Sequence, residues 1–290
     1  MQKSADSNTD KSIGNIIAET NQLTPEQIHQ VLEHQRTRGV KFGEAAVELG
    51  FAKREDVLWA LAQQFHYPYA AEGRKNISAE LVVATSPFDS TAEFFRDIRS
   101  QIITDVFTGK NASGAVALAV CSPDVGDGKS FFAANLAAAF SQLGARTLLV
   151  DADMRTPRQH EIFSVPEATS GLSSILAGRS ETNVIRPIDA LPSLYVLPVG
   201  VTPPNPLELV LRPAFDLLLS ELIQKFDYII VDTPAASHGA DARVIAAKCG
   251  ASLALSRKGV SKSASLKALV QHLKKGGNSI FAGTILNDFN

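Results

Sequence analysis

The chain has 290 residues, 45% hydrophobic and 20% charged, enough to bury the core of one or two globular domains. Its formal net charge is −2, and its two cysteines, Cys121 and Cys249, stand far apart. That sets aside a disulfide scaffold, a cysteine zinc motif and a global attraction to nucleic acid. No apolar run reaches the length of a membrane span and the polar start is not a secretory signal, so a reducing, cytoplasmic setting is expected.

The first seventy residues contain a repeat: residues 12–35 align without gaps on residues 41–64. Gly14 and Gly43, Glu19 and Glu48, Leu32 and Leu61, and Gln35 and Gln64 are identical pairs, and apolar residues coincide at Ile13/Phe42, Ile17/Ala46 and Ile28/Val57. Thr24 followed by Pro25 reads as a helix cap with proline in the first turn. Each copy is expected to form a short helix, a turn and a second amphipathic helix, giving a small all-helical domain over 1–70. Gly73 and Pro87 mark a linker over 71–90.

Over 91–290 short apolar strands alternate with helices. Strands are expected at 115–121, 147–150, 194–198, 228–231, 252–255 and 280–286, and helices at 130–143, 207–225 and 263–275. This pattern predicts an α/β domain, a mostly parallel sheet covered by helices on both faces.

The chemistry begins at residues 122–130, SPDVGDGKS, after an apolar strand and at a helix start. Gly126 and Gly128 let the backbone close around phosphates, with Asp124, Val125, Asp127 and Phe131 completing the loop and first turn. Lys129 is placed for the outer phosphates and Ser130 for Mg²⁺. Pro123 replaces the usual first glycine of GxxxxGK[ST]. A second strand ends in LLVDADMR with Asp151 and Asp153, and a third, DYIIVDTP, ends in Asp232. Carboxylates at successive strand ends beside GKS point to a P-loop site for Mg²⁺ and a nucleoside triphosphate.

Together these motifs, over about residues 88–289, resemble the bacterial tyrosine kinases of exopolysaccharide synthesis, relatives of the MinD/ParA ATPases. Residues 122–130 look like that family's Walker A, LLVDADMR like its Walker A′ and DYIIVDTP like its Walker B. GLSSILAG at 171–178 and PPNPLEL at 203–209 look like family segments between them. Glu93, Arg96 and Arg99 fit the ExxRxxR helix through which these kinases form homo-oligomeric rings, and their spacing sets the charges along one stripe. The signature lysine of MinD/ParA loops is replaced by Asp124. The resemblance implies ATP and Mg²⁺ as cofactors and Lys129 on the β/γ-phosphates. It implies Ser130 and Asp232 at the metal, with Asp151 completing its environment. Asp153 shares that setting and is the candidate acceptor of the tyrosine proton. Arg155 is assigned to nucleotide or interface contacts and Asn287 to the base.

The family's C-terminal tyrosine cluster is missing, since the four tyrosines are Tyr67, Tyr69, Tyr195 and Tyr228. Either the substrate tyrosine lies on another protein, or the fold works as a MinD/ParA-like ATPase switch controlling polysaccharide assembly. The repeat at 1–70 resembles the MshEN module of type II secretion ATPases, some of which bind cyclic di-GMP. Gly14, Gly43, Gln35 and Gln64 keep parts of that motif, while Ser12 and Lys41 stand where it has arginine. The pairing of domains resembles the EpsG-type chain-length-determinant kinases. It implies a separate membrane co-polymerase that brings the kinase to the inner face of the plasma membrane. The eight basic residues between 242 and 287, with no acidic one, read either as a solvated face or as a surface for lipid or an acidic partner.

Overall fold

A computed structural model describes residues 12–64, 78–108, 116–166, 170–179, 182–275 and 279–288. The chain divides into two compact units, Met1–Ala71 and Glu72–Asn290.

The first unit contains α1 (Ile13–Thr20), α2 (Pro25–Arg38), α3 (Phe42–Glu48) and α4 (Arg54–Gln64). A reciprocal cap starts α2: Thr24 Oγ1 accepts from the Gln27 amide at 3.3 Å, and Gln27 Oε1 accepts from the Thr24 amide at 2.9 Å. Left-handed Gly39 ends it. Ile17, Val31, Ala45, Ala46 and Ala60 form the core. Helix α1 packs on α4 and α2 on α3, so the two copies exchange partners. Both repeat glycines face neighbouring helices. A Cβ on Gly43 would lie 2.6 Å from a Val57 methyl, and one on Gly14 would lie 3.5 Å from the Phe42 ring.

Of the expected linker, 71–77 lies outside the described residues and 78–90 belongs to the second unit. There Leu81, Val83 and Ala84 are buried in and around α5 (Val82–Thr85). Asn135 explains why weak periodicity hides this segment. Its side chain accepts from the Val83 amide at 3.1 Å and donates to the Glu80 carbonyl at 2.7 Å, satisfying backbone that no regular ladder reaches.

The second unit continues with α6 (Ser90–Ile102), a π turn at Ile103–Phe107, β1 (Ala117–Cys121), α7 (Lys129–Ser141), β2 (Thr147–Asp151), α8 (Gln159–Ile162) and α9 (Leu172–Leu176). Next come β3 (Arg186–Ile188), β4 (Leu191–Leu197), α10 (Pro206–Leu211), α11 (Pro213–Lys225) and β5 (Tyr228–Asp232). After a 3-10 turn at Ala236–His238 follow α12 (Asp241–Cys249), β6 (Gly250–Arg257), α13 (Ser263–Lys274) and β7 (Ile280–Asn287). The sheet order is β3-β4-β2-β5-β1-β6-β7, parallel except for β3 against β4. Ala117, Ala119 and Cys121 of β1 share one core with α11, α12 and α13, to which α7 contributes nothing. Helix α7 packs against β1, β2, β4 and β5. Helices therefore cover both faces, as the strand pattern predicts.

The helix expected over 207–225 is two helices. Pro213 has no amide to donate and drives Arg212 to an extended ψ of 150°, which breaks the run. Edge strand β3 and helix α12 carry too little pattern to be read from sequence. Parallel register sets Val120 and Asp151 both opposite Asp232, so the ends of β1, β2 and β5 meet at one sheet edge.

Candidate nucleotide site

Strand β1 is buried throughout and runs into the loop 122–128, which arches over the start of α7. Asp127, 1% exposed, ties the arch together: its Oδ2 accepts from the Asp124 amide at 2.9 Å and its Oδ1 from Ser261 Oγ at 2.6 Å. Asn287 Nδ2 donates to the Asp127 carbonyl at 2.9 Å, which brings the end of β7 onto the loop. Gly126 and Gly128 adopt positive φ, 84° and 93°.

Lys129 is buried at the first position of α7, its Nζ 3.5 Å from Asp153 Oδ2. Asp153 lies two residues beyond β2. Its Oδ1 accepts from the Arg155 and Thr156 amides at 3.2 and 2.9 Å, and its Oδ2 from Thr156 Oγ1 at 2.9 Å. Asp151 accepts from the Asp153 and Gln159 amides, both at 3.1 Å. Asp232 Oδ2 accepts from Gln159 Nε2 at 2.8 Å, whereas its Oδ1 is buried without a partner.

Three buried carboxylates thus face one buried ammonium. Burial pushes the Asp151 carboxyl well above the usual range, and the charge of Asp232 adds to the push. Burial also raises Asp232, against the opposing pull of Lys129 and of the Ser130 and Gln159 side chains. An excess of buried negative charge with an open carboxylate oxygen fits a divalent cation. Among the described residues no group of three His, Cys, Asp or Glu side chains encloses a metal. Mg²⁺ takes one or two protein oxygens and completes its shell with phosphates and water. Beside the loop, Gly126, Gly128, Phe131, Arg158, Arg257 and Asn287 line a cavity of about 560 Å³, in the size range of small-molecule pockets.

The structure brings Asp127, Gly128, Lys129, Ser130, Asp151, Asp153, Asp232 and Asn287 together, with Gly126 and Phe131 on the adjoining cavity. Val125 is exposed, and Asp124 lines a separate cavity of about 280 Å³ with Arg243 and His272. Arg155 is drawn away: its Nη2 bonds both oxygens of Asp241, at 3.2 and 3.0 Å, at the start of α12. The charged stripe on α6 is engaged within the chain. Arg96 pairs with Glu93 at 2.6 Å and reaches the Pro87 carbonyl, while Arg99 donates to the Ala139 carbonyl of α7 at 2.7 Å. Sequence reasoning missed Gln159 and Ser261. Neither belongs to a motif, although Gln159 opens a helix just after LLVDADMR.

The CobQ/CobB/MinD/ParA nucleotide binding domain family matches residues 118–290. CapB of Staphylococcus aureus is 36% identical over 174 residues, 60% of this chain and 74% of that protein. Tyrosine-protein kinase CpsD of Streptococcus agalactiae is 33% identical over 200 residues, 69% of this chain and 84% of CpsD. The chimerical protein CapA2B2 superposes with a TM-score of 0.66 at 32% identity, over 79% of this chain and 97% of that one. The kinase domain of Escherichia coli tyrosine kinase ETK gives 0.67 at 31%, over 75% and 82%. The Pyrococcus furiosus cell division ATPase MinD shares the fold, with a TM-score of 0.53 at 24% identity over 61% of this chain and 73% of MinD. With its P-loop, its paired strand-end carboxylates and these relatives, the chain belongs to the bacterial tyrosine-kinase family within the CobQ/CobB/MinD/ParA nucleotide-binding proteins.

Proposed function

We infer that the second unit transfers the γ-phosphoryl group of ATP to a tyrosine on another protein, regulating exopolysaccharide chain length and export beside a separate membrane co-polymerase. The observation that carries this reading is the buried cluster of Lys129, Asp151, Asp153 and Asp232, with Asp232 Oδ1 left open at the start of α7. A bound Mg²⁺ supplies charge neutralisation across the phosphates. Ser130 and Asp232 would hold it, with Asp153 in the same setting. Asp151, through its two amide bonds, fixes the turn that carries Asp153. Lys129 stabilises the charge that builds on the departing β-phosphate oxygen as the γ-phosphorus bonds the tyrosine oxygen. The tyrosine proton passes to Asp153 Oδ2, the oxygen that Lys129 and Thr156 now share.

An acceptor on another chain agrees with the tyrosines described here. Tyr228 packs on Phe107 and Phe140, with ring centroids at 5.0 and 4.6 Å, and Tyr195 packs on Phe226 at 5.4 Å. Tyr67 and Tyr69 lie outside the described residues. The same packing favours a second reading, the MinD/ParA-like switch that hydrolyses ATP without a tyrosine acceptor.

The first unit is read as a docking module for protein rather than cyclic di-GMP, because Val57 fills the space at Gly43. A ring built through Glu93, Arg96 and Arg99 requires their in-chain bonds to be exchanged for contacts with a neighbour. Ion pairs of Lys248 with Asp216 at 2.6 Å and of Lys258 with Asp288 at 2.7 Å support a solvated face for the basic block. Among the described residues no helix is long and apolar enough to cross a membrane, and the reading places the protein at the inner face of the plasma membrane through its co-polymerase.

The test is phosphosite mapping by mass spectrometry after incubation with ATP and Mg²⁺, with and without the co-polymerase's cytoplasmic segment. Lys129→Ala is expected to lower phosphotyrosine formation at least about 100-fold. Phosphate release with no phosphotyrosine on any protein would establish the switch instead.

A further inference from the structure

Gln159 has no exposed surface. One Nε2 hydrogen goes to Asp232 Oδ2 at 2.8 Å and the other to the Ser130 carbonyl at 3.1 Å, while its own amide bonds Asp151. The side chain can take only this orientation, since a flipped amide would set its oxygen against two acceptors. Its Oε1 is then a buried acceptor with no partner, and so is Oδ1 of the Asp232 carboxylate that Gln159 binds. A buried acceptor left unpaired is unfavourable, so two in one cluster call for a donor that arrives from outside the chain. Water held by a divalent cation is such a donor: the cation strongly polarises its hydrogens, and its oxygen is already committed to the metal. The amide bond to Asp232 Oδ2 also decides which oxygen of that carboxylate stays open.

We propose that Gln159 is a positioning residue of the cation site, orienting Asp232 through its amide hydrogens and receiving, on Oε1, a hydrogen from the cation's water. The proposal rests on the Mg²⁺–nucleotide reading of the same cluster. It assigns Gln159 no contact with ATP or tyrosine.

A fluorescent ADP analogue is titrated into wild type, Gln159→Met and Gln159→Glu of the full chain, first in EDTA and then with rising MgCl₂. Methionine matches the length of glutamine without donor or acceptor, whereas glutamate keeps an acceptor oxygen but loses both amide hydrogens. In Gln159→Met the Mg²⁺ concentration for half-maximal tight binding is expected to rise about tenfold or more. In Gln159→Glu, which can no longer donate to Asp232 Oδ2 or the Ser130 carbonyl, it should rise as well. Affinity in EDTA should remain within about twofold of wild type for both, as expected of a residue that acts through the metal rather than the nucleotide. An unchanged Mg²⁺ requirement in Gln159→Met, or a matching loss in EDTA, would overturn the proposal and make Gln159 a packing residue of the loop. Melting temperatures without ligand show whether each variant folds. If the methionine variant does not, an unchanged Mg²⁺ requirement in the glutamate variant overturns the proposal, and a rise of about tenfold upholds it. A wild type whose ADP binding ignores Mg²⁺ would sink the Mg²⁺–nucleotide reading itself, and this proposal with it.

Discussion

Gly128 meets two demands at once. Its φ of 93° is one that L side chains rarely adopt, and a Cβ there would lie 2.5 Å from Asn287 Nδ2. Gly128→Ala is therefore expected to cost about 2 kcal/mol in urea unfolding, from left-handed strain and from pushing the Asn287 amide off the Asp127 carbonyl. Asp232 presents the opposite case, since it is held against its own folding preference. Asp232→Asn keeps an oxygen for Gln159 and removes a buried charge. The ligand-free protein should melt at least about 2 °C higher while phosphoryl transfer is lost, and calorimetry beside a transfer assay checks both halves. The cysteines report on the core. Burial pushes the Cys121 thiol up to about 12 and raises Cys249 as well, so neither should react with a thiol reagent at pH 8 until the chain is unfolded.

Helix α6 shows how a local cap becomes a pH dependence. Asp89 Oδ1 accepts from the Thr91 amide at 2.8 Å, and that backbone bond holds the exposed carboxyl below its usual value. A lowered folded-state pKa contributes stability that is fully present above the unfolded value, about 3.9, and is lost as pH falls through the folded one. Asp89→Ala should therefore melt below wild type at pH 7, and thermal melts across pH should show the gap narrowing only under about pH 4. Elements of this kind, with cap, period and stop in one short segment, are legible in sequence, as are six of the strands and α2. Residues 78–90 and the break at Pro213 were harder. The first is held by Asn135, more than fifty positions downstream, and the second is a backbone event inside an unbroken apolar pattern. The site divides in the same way. Lys129, Asp151, Asp153 and Asp232 announce themselves because each stands in a short motif at a helix start or at or just beyond a strand end. Gln159 and Ser261 do not, because what makes them matter is the company that tertiary folding gives them.

At the scale of the molecule, each unit encloses its own core, a small cluster of aliphatic side chains among the described residues of the first and a large sheet-and-helix core in the second. Calorimetry should therefore resolve two transitions. Mg²⁺ and ADP at a hundred times the dissociation constant should add about 2.7 kcal/mol to the second unit alone. Movement of both transitions would mean that the first unit also takes part in nucleotide binding. The parallel sheet has a further consequence, one of time rather than of space. Its phosphate loop is a short local segment, yet the bond from Asn287 that steadies it spans 160 positions of sequence. Asp151 likewise reaches its place opposite Asp232 only when β5 enters between β1 and β2. A chain still being synthesised can carry the whole of GDGKS and yet lack the carboxylate of β5 and the amide that closes the arch. The closed loop thus waits for β5 and β7, and a ribosome-bound fragment that stops before them is expected to bind nucleotide weakly.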